Sequence, residues 1–402
     1  MTNRAELFAM STIFDVKVRG PPNEDLVQGF PGIGASWPRL EGTVEVRSKD
    51  GSLLYITLIT IALYRTDVIH PPSNKPGISG PKKEQSYLIG EKLGIFQVSA
   101  GKIHEECIGL DLPFVLSLPT NKPLPASISL GKGTVETSYQ LFISIIYGKQ
   151  QLHHVPVPVR IKRYDTLSTF GAFRVPVVKS VVSPDHIVTL DYCLPCCSFG
   201  PTDGIMAYIK MIPNPDWPTK SKKVKLEKVT MQIVEVITFN HNGEEPIVRR
   251  RRLAKTSTEQ LDLRLMDEWF NSQLTLEFPV ADLQEKEGLI PKERQEIPIA
   301  SKNGFTTSSS LYKIDYLLII KARLSHCKDI EIEQPITINP FDHASCMSFM
   351  KCISDSVEYS NKTNHNYKPR PQVYRTGDVA MLSHLQKLPS TVGNRIVQIT
   401  VS

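Results

Sequence analysis

Four consecutive arginines, Arg249 to Arg252, are the densest chemistry in this chain. A guanidinium grips phosphate or carboxylate as a bidentate fork, so such a run points to contact with an anionic partner. Four of them cannot all be buried, which places the segment on an edge or protruding strand. The same charge would equally keep a sheet edge from pairing with another chain. Lys220, Lys222, Lys223 and Lys225 lie shortly upstream and can extend either role.

Cys193-Leu194-Pro195-Cys196-Cys197 has the density of a metal or redox motif but not its surroundings. Structural zinc takes four ligands, usually from two separated pairs, and His186 stands alone nearby. A redox pair needs a thiol activated at a helix N-terminus, whereas this motif begins a strand. Buried thiols with no metal are therefore expected, and no cofactor. The His153-His154 pair precedes VPVPVR and reads as solvent-facing at a strand start. The sequence holds no GxSxG, HExxH or GxxxxGK[ST], and Gly32-Ile33-Gly34 lacks the third glycine of a dinucleotide loop. An enzyme is not expected.

The elements that would carry these residues are strands. Thr43 to Arg47 alternates; Leu261, Leu263 and Leu265 alternate with Asp262 and Arg264; Leu274, Leu276 and Phe278 alternate with Thr275 and Glu277. Leu53 to Leu63, LLYITLITIAL, is about half the ~20 residues a membrane helix needs and reads as a buried strand rich in β-branched residues. Val229, Met231 and Ile233 share one face of a further strand, and Asn242-Gly243 supplies a two-residue turn, so the arginines sit on the return strand of a hairpin. Pleating sends Arg249 and Arg251 to one face and Arg250 and Arg252 to the other.

Thirty prolines and the lack of any long helical period fit two antiparallel sandwiches. At 402 residues the chain exceeds what one core serves. The first sandwich is expected over 1–175, the second over 176–345, with 171–185 connecting them. A mobile, disordered polar tail is expected over 346–402. The N-terminus has no signal-peptide core, and seven scattered cysteines suit a reducing compartment. The net charge of +6 is too small for a dedicated nucleic-acid binder and leaves acidic peptides and anionic lipid open.

Leu194 to Pro218, LPCCSFGPTDGIMAYIKMIPNPDWP, resembles the opening of an arrestin C-terminal domain. LPFVLSLPT at Leu112–Thr120, LPASISL at Leu124–Leu130, VETSYQLFISIIY at Val135–Tyr147 and IKRYD at Ile161–Asp165 resemble, in that order, the second half of an arrestin N-terminal domain. Over roughly residues 35 to 345 the chain is similar to the fungal arrestin-related trafficking adaptors, or α-arrestins. The resemblance implies an all-β fold of two tandem immunoglobulin-like sandwiches of arrestin type. It also implies a cytoplasmic adaptor, peripheral at the plasma membrane or endosomes, that binds transporter or receptor tails for ubiquitin-dependent endocytosis.

Such adaptors recruit a HECT-type ubiquitin ligase through PPxY motifs, and this chain departs from that pattern. Pro71-Pro72-Ser73-Asn74 lacks the tyrosine and Pro371-Gln372-Val373-Tyr374 the second proline. Pro371 and Tyr374, in the tail, are the remaining candidates for a ligase contact, made directly or through another adaptor. Two other readings stay open: a structural subunit of an endosomal sorting coat, like the arrestin-fold subunit of retromer, and a β-sandwich enzyme with an unrecognised site.

Overall fold

The apolar run after Leu53 forms the longest strand among the described residues, Leu54–Ile69, hydrogen-bonded on both of its edges, with Ile59, Ile61 and Leu63 fully buried. A computed structural model describes residues 13–21, 25–72, 80–122, 124–131, 134–243, 245–265, 270–279, 300–301, 304–365, 369–378 and 381–382.

The first half contributes β1 (Phe14–Arg19), β2 (Val27–Gln28), β3 (Arg39–Ser48), β4 (Leu54–Ile69), β5 (Lys83–Gln97), β6 (Glu105–Cys107), β7 (Gly109–Ser117), β8 (Ile128–Leu130), β9 (Val135–Tyr147) and β10 (Gln151–Val159). One sheet runs β1-β3-β7 with β2 beside β3; the other runs β8-β9-β4-β5 with β10 beside β9 and β6 beside β4. Strict alternation builds the core between them. On β9, Tyr139, Leu141, Ile143 and Ile145 point inward while Gln140 and its alternate neighbours do not.

The second half contributes β11 (Val177–Val182), β12 (Val188–Leu194), β13 (Ser198–Phe199), β14 (Gly204–Pro213), a one-turn helix α1 (Pro218–Ser221), β15 (Lys225–Phe239), β16 (Ile247–Ser257), β17 (Leu263–Arg264), β18 (Phe270–Glu277), β19 (Ala300–Ser301), β20 (Thr307–Ser308), β21 (Tyr312–Ser325) and β22 (Ile330–Ile338). Its sheets run β11-β12-β14-β18 and β13-β22-β21-β15-β16. The fold is all-β. Gly200, in the Gly-Pro turn between β13 and β14, passes so close to the Phe341 carbonyl oxygen that a Cβ would lie 1.7 Å from it, so only glycine fits.

The halves share apolar packing. Ile69, Ile128, Leu130 and Val135 of the first half belong to the core of the second, and β19 pairs in parallel with β8. Polar contacts join them too: Tyr87 bonds Ser310, Lys83 Nζ donates to Asn240 Oδ1 at 3.0 Å, and Thr137 meets Tyr312.

Several expectations change. The 171–185 connector holds β11, because Val177 and Val181 have the core of the second half to pack against. Leu261–Leu265 is strand only at Leu263–Arg264. The hairpin turn is longer than two residues: Asn240 takes the left-handed φ of 52°, and Gly243 N–H closes onto Asn240 O at 2.7 Å.

The described part of the polar tail is ordered. Helix α2 (His343–Lys362) begins with Asp342 accepting from Ser345 N–H, the N-cap bond that a short acidic side chain supplies. Its Cys346 and Ile353 pack with Leu167, Phe30, Phe341 and Phe349. With Phe349 of the same helix they form a stripe at 346, 349 and 353, a helical spacing that alternation cannot show. Strand β23 (Gln372–Tyr374) then pairs antiparallel with β7 and extends that sheet to β1-β3-β7-β23.

Candidate functional site

Strand alternation places Val229, Met231, Ile233, Ile237 and Phe239 of β15 in the core, and it places Glu235 there with them, at 0% exposure. A lone carboxylate in an apolar face needs a partner. It has one in the next strand, where Glu235 stands opposite Arg251. Arg251 Nε and Nη2 donate to the two Glu235 oxygens at 3.0 and 3.1 Å, and the Tyr316 hydroxyl donates to Oε2 at 3.4 Å.

Arg249, on the same face, lies over the Phe239 ring at 5.8 Å, and its buried Nε has no hydrogen-bond acceptor. Burial lowers its pKa despite the nearby Glu235 charge. On the opposite face Arg250 forks onto Glu333 at 2.6 and 3.3 Å. Arg252 is exposed and has no ion pair among the described residues. Among the described residues, two carboxylates thus answer four guanidiniums. Both carboxylates come from across the sheet, and the alternation of β15 was the signal for Glu235.

The lysines do not join the arginines. Lys220, in α1, sits over the Trp217 ring at 4.6 Å, and Lys225, the first residue of β15, pairs with Asp262 at 3.0 Å. Arg249 to Arg252 stand opposite Ile237 to Val234, nine to twelve residues along that strand, or roughly 30–40 Å at the strand rise. Sequence proximity to the hairpin misled because a 15-residue strand separates its two ends.

Tyr374 is not an accessible tail residue. It is 0% exposed, its hydroxyl donates to Asp111 Oδ2 at 2.5 Å, and the Arg47 guanidinium, paired with Asp111, lies 5.1 Å from its ring. Burial and the adjacent Asp111 charge push its pKa up. Arg375 Nε donates to Glu105 Oε1 at 3.0 Å, which holds that carboxyl below its ordinary pKa. Pro371 lines a groove of about 330 Å³ with Phe96, Val373 and Arg375.

Cys193, Cys196 and Cys197 carry free thiols, and burial raises the pKa of Cys197. Among the described residues no three His, Cys, Asp or Glu side chains converge on a metal position. His153 and His154 are half-buried rather than solvent-facing: His153 meets Phe14 edge-on, and His154 Nδ1 bonds Ser144 Oγ at 2.9 Å. No helix of the described residues is long and apolar enough to cross a membrane.

Residues 184–341 match the family model described as "Arrestin (or S-antigen), C-terminal domain". That segment is arrestin-like, and the all-β fold of mostly antiparallel sheets is consistent with an arrestin-type fold. The chain is similar to the Saccharomyces cerevisiae "RHO1 GEF localizing protein 1", 23% identical over 381 residues that cover 79% of each chain.

Proposed function

We propose that this chain is a non-catalytic adaptor whose two arrestin-type sandwiches, near 1–175 and 176–345, hold the cytoplasmic tail of a membrane protein and hand it to ubiquitin-dependent endocytosis or sorting. Arrestin-family proteins are generally adaptors. The observation that carries the reading is a strand on this fold, Arg249 to Arg252, whose positive charge exceeds that of its partners Glu235 and Glu333. That excess suits acidic cargo tails. A ligase contact through Tyr374 would first require β23 to leave β7, since the ring and hydroxyl are both enclosed.

A second reading has one observation in its favour: the similar yeast protein is named for localizing a RHO1 GEF and is matched over 79% of its length. On that reading the surface positions an exchange factor. Affinity purification of the tagged full-length chain from its native host, after mild cross-linking, separates the two. Transporters or receptors with a HECT-type ligase support the cargo adaptor, and a co-purifying GEF without them replaces it. A fixed-stoichiometry coat complex would overturn both.

A further inference from the structure

The arginines occupy a strand whose other edge is open. β16 bonds β15 along one side and ends its sheet on the other among the described residues. A sheet edge presents a row of unsatisfied N–H and C=O groups, and proteins blunt such edges with proline, bulges or charge. The edge strand β10 carries Pro156 and Pro158. From Ile247 to Arg252, β16 has no proline, and its register shift falls only beyond Arg252, at Leu253. It has charge of one sign, which repels basic segments and attracts acidic ones. Ile247 and Val248, 37% and 55% exposed, lead directly into the arginines and leave apolar surface for a neighbour to cover.

We infer that the free edge of β16 accepts an extended acidic segment of a partner protein as an added strand; this rests on the adaptor reading and specifies how its charged surface is used. Main-chain hydrogen bonds would hold the segment, and the arginines would select it. The geometry also sets the partner's pattern. Arg250 and Arg251 already hold carboxylates, whereas among the described residues Arg252 has none and Arg249 Nε has no acceptor. Arg249 and Arg252 lie three residues apart and so face opposite sides of the sheet. Strands pair residue for residue, so the favoured segment carries acidic residues at i and i+3, on opposite faces. Acids at i and i+2 would share a face and reach only one of the two.

The test uses the full-length chain and a labelled twelve-residue peptide, rich in Thr and Val, with Glu at i and i+3. Anisotropy should show saturable binding that weakens from 50 to 300 mM NaCl. Amide hydrogen exchange should slow across 247–252. Arg252→Ser should weaken binding about tenfold, the loss of one charge-assisted contact, and the i, i+2 peptide should bind less well. A peptide N-methylated at alternate residues, with the same charges but without half its donors, should fail to bind.

Equal binding of the N-methylated peptide, or binding with no exchange protection, overturns strand addition while leaving a side-chain anion contact standing. Failure to bind any peptide, with phosphatidylserine vesicles bound and lost in Arg252→Ser, overturns it in favour of lipid. Failure with both removes the anionic-contact reading as well.

Discussion

The Tyr312 hydroxyl on β21 donates to Thr137 Oγ1 on β9 at 2.6 Å, and Thr137 donates in turn to Asp67 Oδ1 at 2.7 Å. All three residues are fully buried, so a polar chain crosses the junction between the two halves within their shared packing. Arg65 Nη2 completes it, 3.1 Å from Asp67 Oδ2. Desolvation nonetheless raises the Asp67 pKa, the attraction of Arg65 only partly offsetting it.

Tyr312→Phe keeps the ring packing and deletes one buried hydrogen bond, so it should cost about 1 kcal/mol. Thr137→Val should cost somewhat more, because it strips a donor from Asp67. A double-mutant cycle by chemical denaturation should return a coupling of at least about 0.5 kcal/mol. Strict additivity would mean the hydroxyls do not act as a chain.

Tyr374 fixes the end of the folded-back segment. Tyr374→Ala removes a buried ring and leaves Asp111 and Arg47 without that hydroxyl and ring, so β23 should detach locally while both sandwiches keep their cooperative unfolding. Faster amide exchange at Gly109 to Asp111, its register partners, and new protease cleavage near Arg370 are the expected signs. Tyr374→Phe, which keeps the packing, should lie between wild type and Ala. Unchanged exchange in the Ala variant would show that α2 alone holds the segment.

The same segment should respond to acid. Arg375 holds the Glu105 carboxyl below its ordinary value of 4.5. A depressed carboxylate contributes stability that is full above the unfolded-state pKa and is lost as pH falls through the lower folded value. Docking of residues 372–375 should therefore hold at neutral pH and loosen below about pH 4.5, and Glu105→Gln should remove that dependence. A Glu105→Gln chain that still loosens over the same range would assign the titration elsewhere.

The strands were legible in different ways: β18 because Leu274, Leu276 and Phe278 repeat every two residues, and β4 because Leu53 to Leu63 is a short apolar run rich in β-branched residues, buried without a break from Ile59 to Leu63. Helix α2 was not, because its inward line of Cys346, Phe349, Ile353 and Ser360 is narrow and partly polar, and exposed Met347 and Met350 interrupt the contrast with the outer face. The arginine strand was visible by composition, but its neutralisation was not. Glu333 lies 83 residues from Arg250, and register alone brings them together. Tyr374 failed for a similar reason, since a polar sequence can still supply one strand to an edge that is waiting for it.

Glu235 offers the sharpest contrast within one strand pair. Glu235→Gln would leave Arg251 with a neutral partner and remove the Glu235 charge beside Arg249, at a buried position where charge is costly to leave unanswered. Arg251 keeps about a third of its side-chain exposure, 36%, which moderates the loss to about 1.5–3 kcal/mol, the range for hydrogen bonds to charged groups. Arg252→Ser, exposed and unpaired among the described residues, should change stability by less than about 0.5 kcal/mol. Urea titrations of both variants decide it: a Glu235→Gln chain as stable as Arg252→Ser would mean that the inward-facing ion pair is no more than a surface contact.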